Sequence, residues 1–272
     1  MTTKELQDTA RLIRRDVLEM VNDVADGHLG PAYSAADIIT ALYFGGILNV
    51  DPSRPRWEDR DRFVLSKGHA CPAVYAALIR RGFIPEEEKF TLRKINSHLQ
   101  GHPDMIKTPG IDATTGPLGN GLAMAVGMAR GLMIRKKSAR VYVLAGDGEL
   151  QEGIVWEALQ AAAKYRLNNL CILVDHNRRQ SGGLVEEVSG ILPLKEKFVA
   201  FRLSCREADG HDFDSLFLAL QACRSDEGPQ VIICRTVKGK GLDFMEEDNS
   251  WHKRVPTREQ YEEGMRQLGG AV

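Results

Sequence analysis

Three short runs of consecutive apolar residues, rich in β-branched side chains, constrain this chain more than any other feature. They are Val141-Tyr142-Val143-Leu144-Ala145, Leu170-Cys171-Ile172-Leu173-Val174 and Val231-Ile232-Ile233-Cys234. A strand that is apolar on both faces must be covered on both faces, which is the situation of a parallel sheet between helices. Helical spacing at 122–134, 156–165 and 213–223 supplies such covers. The alternation predicts an α/β fold with a doubly wound parallel sheet and helices on both faces. Upstream, Leu6, Ile13, Val17, Met20, Val21 and Val24 predict a first helix that ends at Asp26-Gly27. A second helix is expected over 35–44, a short strand over 62–66, and a helix from beyond Gly68 through Leu78. No repeat or low-complexity linker divides the 272 residues, so one domain spanning 1–272 with a short polar tail is expected.

Charge and composition exclude several classes of function. With 36 basic and 37 acidic residues the chain has no general field for nucleic acid or an anionic membrane. No apolar run reaches membrane-spanning length, and the polar segment 1–15 lacks the apolar core of a signal peptide. Cys71, Cys171, Cys205, Cys223 and Cys234 are odd in number and form no CxxC pair, as expected of reduced thiols in a cytoplasmic protein.

The chemistry gathers where strands end. Gly146-Asp147-Gly148 follows one predicted strand and Asp175-His176-Asn177 the next, so both emerge at the carboxyl edge of a parallel sheet, where ligands of such folds bind. The Asp147 carboxylate and the Asn177 amide oxygen are hard donors suited to Mg²⁺ or Ca²⁺. Such a cation would neutralise a diphosphate, while the flanking glycines let its oxygens approach the backbone. A tight turn would explain Gly-Asp-Gly alone; Asp-x-Asn after the following strand favours a site. Thr114-Thr115-Gly116-Pro117-Leu118-Gly119-Asn120-Gly121 feeds a helix and reads either as a plain helix start or as an anion site. Four of the seven histidines, His28, His69, His102 and His252, lie in or after loops bearing glycine or proline. Each alone reads as a satisfied surface or core residue, but near pH 7 an imidazole can also exchange a proton. Glu152 and Glu157 open a helix, where acidic side chains favour the dipole.

Taken in order, these motifs resemble those of the transketolases among the thiamine-diphosphate enzymes. The segment from Gly146 to Ala158, the Gly116-Pro117-Leu118-Gly119 loop and the four histidine loops carry the resemblance, which is nearest to split transketolases. It implies the thiamine-diphosphate-binding fold, with Asp147, Asn177 and the Arg179 carbonyl holding Mg²⁺ or Ca²⁺. His69, Gly116, Pro117, Leu118, Gly146, Asp147, Gly148, Glu149 and Asn177 would lie against the cofactor. His28 and His69 would line the reacting carbon, His102 the donor hydroxyls, and His252 the diphosphate and the acceptor. Glu152 and Glu157 would belong to a carboxylate chain linking two cofactor sites across a subunit interface. The resemblance runs from Gly27 to about Pro256 but covers only the first domain of a full transketolase. The pyrimidine-binding domain is therefore expected on a partner, a C-terminal transketolase subunit in an α2β2 assembly. Together they would move a two-carbon ketol unit from a ketose phosphate to an aldose phosphate.

Two departures stand out. Tyr33, in Gly30-Pro31-Ala32-Tyr33, puts an aromatic where the family has small residues. Arg178-Arg179-Gln180-Ser181-Gly182-Gly183 replaces a small residue, an aliphatic residue and Gln followed by Ile-Asp-Gly. The arginines either pair with Glu186 and Glu187 or accommodate a more anionic substrate. A thiamine-dependent decarboxylase or dehydrogenase component would share Gly-Asp-Gly without these histidine loops. A 1-deoxyxylulose-phosphate synthase normally carries both domains in one chain, and a regulatory subunit would keep the fold without turnover.

Overall fold

A computed structural model describes residues 1–224 and 227–270. Its elements in chain order are α1 (Thr3–Val24), α2 (Leu29–Phe44), β1 (Arg62–Leu65), α3 (Cys71–Arg80), α4 (Asn120–Ile134), β2 (Val141–Gly146), α5 (Gly153–Lys164) and β3 (Leu170–His176). There follow a small hairpin of β4 (Arg179–Gln180) and β5 (Gly183–Leu184), α6 (Val185–Val188), α7 (Leu194–Ala200), β6 (Ser204–Asp209), α8 (Phe213–Ala222), β7 (Gln230–Arg235) and α9 (Arg258–Gln267). Five strands form one parallel sheet in the order β1-β2-β3-β7-β6.

The three apolar runs are the central strands β2, β3 and β7, and their alternating side chains enter two different cores. Tyr142, Leu144, Cys171, Leu173, Ile232 and Cys234 join the core built with α1, α2, α3 and α8. Val141, Val143, Ala145, Ile172, Val174, Val231 and Ile233 join the core built with α4, α5 and α7. A period of two with both phases apolar is what burial on both faces requires. The expected doubly wound sheet is therefore the observed one.

α1 begins at a capping box in which the Thr2 hydroxyl accepts from the Glu5 N–H and the Glu5 carboxylate accepts from the Thr2 N–H. α2 starts at Leu29, earlier than expected, because Pro31 falls in the first turn, where a missing N–H costs no hydrogen bond. Tyr33 turns into the core rather than toward any ligand: it is fully buried and its hydroxyl donates to the Arg14 carbonyl at 2.8 Å. The end of the chain, expected as a polar tail, contains the helix α9, whose Gly264 and Met265 are buried; the Arg11 guanidinium of α1 donates to the Leu268 carbonyl at 2.5 Å. No helix among the described residues is long and apolar enough to cross a membrane, and the five cysteines are free thiols.

The register sets the position of the site. Gly146 pairs with Asp175, and Asp175 with Cys234, so the ends of β2, β3 and β7 stand in one row. β1 ends at Leu65 opposite Leu144, which sends Ser66, Lys67 and Gly68 out over the same edge.

Candidate active site

A cavity of about 350 Å³ opens at this carboxyl edge and is lined by residues from every loop singled out in the sequence except that of His102. Its acidic floor comes from β2 and β3. Asp147 is 2% exposed; its Oδ1 accepts from the Gly148 N–H at 2.8 Å and its Oδ2 from the Arg178 N–H at 2.6 Å, with His176 Nδ1 at 3.0 Å. Asn177 Oδ1 accepts from the Arg179 N–H at 3.0 Å, while Asn177 Nδ2 donates to Ser34 Oγ at 3.3 Å. A carboxylate and an amide oxygen on neighbouring strand ends, beside the main chain of Arg179, form a hard-oxygen donor set that fits Mg²⁺ or Ca²⁺.

Glu149 borders the cavity and ties its loops together. Its carboxylate accepts from Ser66 Oγ, from the Gly119 N–H at 2.7 Å and from the Gly146 N–H at 3.1 Å. Burial raises its carboxyl despite these donors. The three partners follow β1, precede α4 and end β2, so one side chain fixes three loops. Gly119 meets this geometry with φ of 83°, a conformation that favours glycine, and α4 then approaches the Ser66 turn so closely that a Cβ on Gly121 would lie 2.6 Å from Ser66 Cα.

The opposite side is cationic, with Lys67 in the lining and Lys238 buried behind it. Lys67 Nζ is neutralised by Asp175 at 2.5 Å and also donates to the Pro31 carbonyl at 3.1 Å. Lys238 is 1% exposed and donates to Asn249 Oδ1 at 2.8 Å, with His252 Nδ1 at 3.1 Å; no carboxylate pairs with it among the described residues. Burial first, then the charges of Lys67 and Arg179, push its amine down to about 8. A buried ammonium beside glycine-bordered backbone is a ready anion site, and a diphosphate carried with a divalent cation fits this combination of floor and wall.

Three imidazoles ring the mouth. Ring centroids lie 5.3 Å apart for His28 and His69, 5.6 Å for His28 and His252, and 5.2 Å for His69 and His252. Burial, with Arg93 and Lys253 nearby, pushes His28 down to about 4; burial and Lys238 push His252 down to about 3. Burial and Lys67 hold His69 well below the usual imidazole range. All three are therefore neutral near pH 7, each with one nitrogen to donate and one to accept. With the Lys238 ammonium donating to His252 Nδ1, the His252 proton sits on Nε2.

Gly116, Leu118, Gly146, Gly148 and Glu152 also line the cavity. His102 and Pro117 are outside its lining. The His102 ring stands behind the Gly68 and Gly116 loops, close to where a Cβ on either would lie (3.2 and 3.6 Å), and burial with Arg93 lowers its pKa. Glu157 is on the exposed side of α5, at a shallow groove between α4 and α5. Lys67, Lys238 and the clamping role of Glu149 were not singled out from the sequence. A strand-end position before Gly68 and the glycines around Lys238 were the available signals, but lysine and glutamate in loops are ordinarily solvated.

The chain matches the family described as "Transketolase, thiamine diphosphate binding domain" over residues 3–269. It is 40% identical over 271 residues to an apulose-4-phosphate transketolase subunit of Phocaeicola vulgatus, covering 99% of this chain and 95% of that protein. It is 38% identical over 265 residues to 6-deoxy-6-sulfo-D-fructose transketolase subunit SqwG of a Clostridium species, covering 97% and 96%. Among solved structures, the transketolase of Campylobacter jejuni superposes with a TM-score of 0.94 at 31% identity, covering 99% of this chain but 43% of the longer one. The chain belongs to the transketolase family, as its thiamine-diphosphate-binding domain.

Proposed function

We propose that this chain is the diphosphate-binding subunit of a two-chain transketolase, transferring a two-carbon ketol unit from a ketose to an aldose only with a C-terminal subunit that carries the pyrimidine-binding domain. The ring of three neutral imidazoles above the Asp147–Asn177 floor carries this reading. The lengths agree with it: the chain spans 95% of the Phocaeicola vulgatus subunit and 43% of a solved transketolase.

Asp147, Asn177 and the Arg179 carbonyl hold Mg²⁺ or Ca²⁺, and Lys238 with the glycine backbone holds the diphosphate. Bound thiamine diphosphate supplies the carbon nucleophile, and the protein orients the sugar and moves its protons. His28 and His69, neutral and unpaired by carboxylates among the described residues, exchange protons with the substrate's hydroxyl and carbonyl oxygens. His252 offers its Nε2–H to the acceptor or the diphosphate. His102, outside the lining, reaches the donor hydroxyls only where the second subunit completes the wall. Glu152 borders the cavity and Glu157 the outer groove, the route a carboxylate chain to a neighbouring subunit would take. The substrates are anionic sugars, in keeping with the phosphate and sulfonate in the relatives' names, and an α2β2 assembly in the cytoplasm accommodates all of these parts.

The test is ketol transfer by the chain alone and mixed with its partner, with thiamine diphosphate and Mg²⁺. Xylulose 5-phosphate, apulose 4-phosphate and 6-deoxy-6-sulfofructose would be offered as donors. Activity only in the mixture, and its loss in Asp147→Ala by about a hundredfold or more, is expected. Turnover by the isolated chain, or an Asp147→Ala mixture as active as the parent, would overturn the assignment.

A further inference from the structure

Arg179 is the cation of this cavity for which the site described above has no task. Its neighbour Arg178 is spent: 60% of that side chain is exposed, and its guanidinium is paired with Glu186. Arg179 instead lines the cavity, is only partly exposed, and its guanidinium makes no hydrogen bond or ion pair among the described residues. Its backbone is bolted to the metal donors, since its N–H donates to Asn177 Oδ1 at 3.0 Å and it pairs with Leu184 in the β4–β5 hairpin. The loop is also held from outside, by Asn249 Nδ2 donating to the Ser181 carbonyl at 3.0 Å and Gln151 Nε2 donating to Gln180 Oε1 at 2.8 Å. The guanidinium charge is felt across the cavity, being one of the causes that depress Lys238.

Arg179 in the lining and Lys238 buried behind it repel, and the arrangement becomes favourable when a multiply charged anion sits near both. A guanidinium also matches two phosphate oxygens at once, which an aliphatic side chain at this position cannot do. We propose that the Arg179 guanidinium binds the cofactor's diphosphate and shares its neutralisation with the divalent ion, so that cofactor binding in this chain depends less on metal than the Asp147–Asn177 floor alone would dictate. The inference rests on the cofactor site proposed above. Metal and guanidinium repel each other while attracting the same oxygens, so the loss of either makes the other more important.

The experiment is titration of thiamine diphosphate into the full chain assembled with its partner, followed by calorimetry, in Mg²⁺ and in EDTA. Wild type, Arg179→Leu and Arg179→Lys are compared; both variants retain the main-chain carbonyl and N–H of the metal site. Chelation is expected to weaken wild-type binding by about tenfold or less but Arg179→Leu by more than about a hundredfold, with Arg179→Lys between them. In saturating Mg²⁺ Arg179→Leu should still bind more weakly than wild type, by a smaller factor than in EDTA. An equal loss on chelation in wild type and Arg179→Leu sinks the Arg179 role and leaves the cofactor site standing. Failure of wild type to bind cofactor even in Mg²⁺ sinks both.

Discussion

Lys238 shows how far burial without a carboxylate partner changes a side chain: its amine falls from 10.5 to about 8. Bound diphosphate favours the ammonium, so the free protein must take up a proton to bind once the pH passes about 8. Cofactor affinity should therefore fall above that pH, by up to about tenfold per pH unit, and calorimetry of Lys238→Met should show weaker but flat binding over the same range. The imidazoles behave in the opposite sense. His28 and His252 have folded values of about 4 and about 3 against an ordinary 6.5, so the unfolded chain binds protons that the fold refuses. Stability should fall as the pH drops below about 6.5 and the histidine contribution should level off below about 3, a decline that a His28→Asn, His252→Asn variant reduces in melts across this range. At this scale the sequence was legible where residue type and strand end coincide, as at Asp147 and Asn177. It was opaque at Glu149, because the three atoms that hold it belong to residues 66, 119 and 146, which only the fold brings together.

Two of the three glycines of helix α4 have surroundings that make opposite predictions. A methyl group on Gly121 would meet Ser66 Cα at 2.6 Å, whereas one on Gly127 would meet nothing within 4 Å. Gly121→Ala should cost about 1–3 kcal/mol through overpacking and weaken cofactor binding by shifting the Ser66–Glu149 contact. Gly127→Ala, on the exposed face of the same helix, should add about 0.5–1 kcal/mol by reducing the freedom of the unfolded chain. Thermal melts of the two single variants check both. The elements themselves divide by burial. β2, β3 and β7 could be read because strands covered on both faces carry uninterrupted apolar runs. β6 is an edge strand, Ser204-Cys205-Arg206-Glu207-Ala208-Asp209, mostly polar and partly exposed, and its place is set by pairing with β7 rather than by any pattern of its own. α9 was hidden for a related reason: its sequence is strongly polar, and its few buried residues dock on α1.

Across the whole molecule, a buried ionic cluster joins the first helices to the last loop. Arg14 of α1 and His211 both contact Asp37 of α2, and His211 Nε2 accepts the Val237 N–H at 2.8 Å, next to Lys238. Burial alone would raise the Asp37 carboxyl, but Arg14 and His211 outweigh it and hold it down at about 2. Arg14→Met leaves that buried carboxylate with His211 as its remaining partner and should cost about 3–5 kcal/mol in denaturant unfolding. Because Asp37 then becomes easier to protonate, much of this cost should vanish at acid pH. The same distribution of parts bears on how the protein is made. The site draws on residues 28, 69, 147, 177, 238 and 252, and the strand that carries the last two to it, β7, sits between β3 and β6 in the sheet. During vectorial synthesis no shorter nascent chain owns a complete anion site, and the first helix waits for the last to cover it. A chain cut anywhere before residue 252 lacks part of the site, so such truncations are expected to lose thiamine-diphosphate binding.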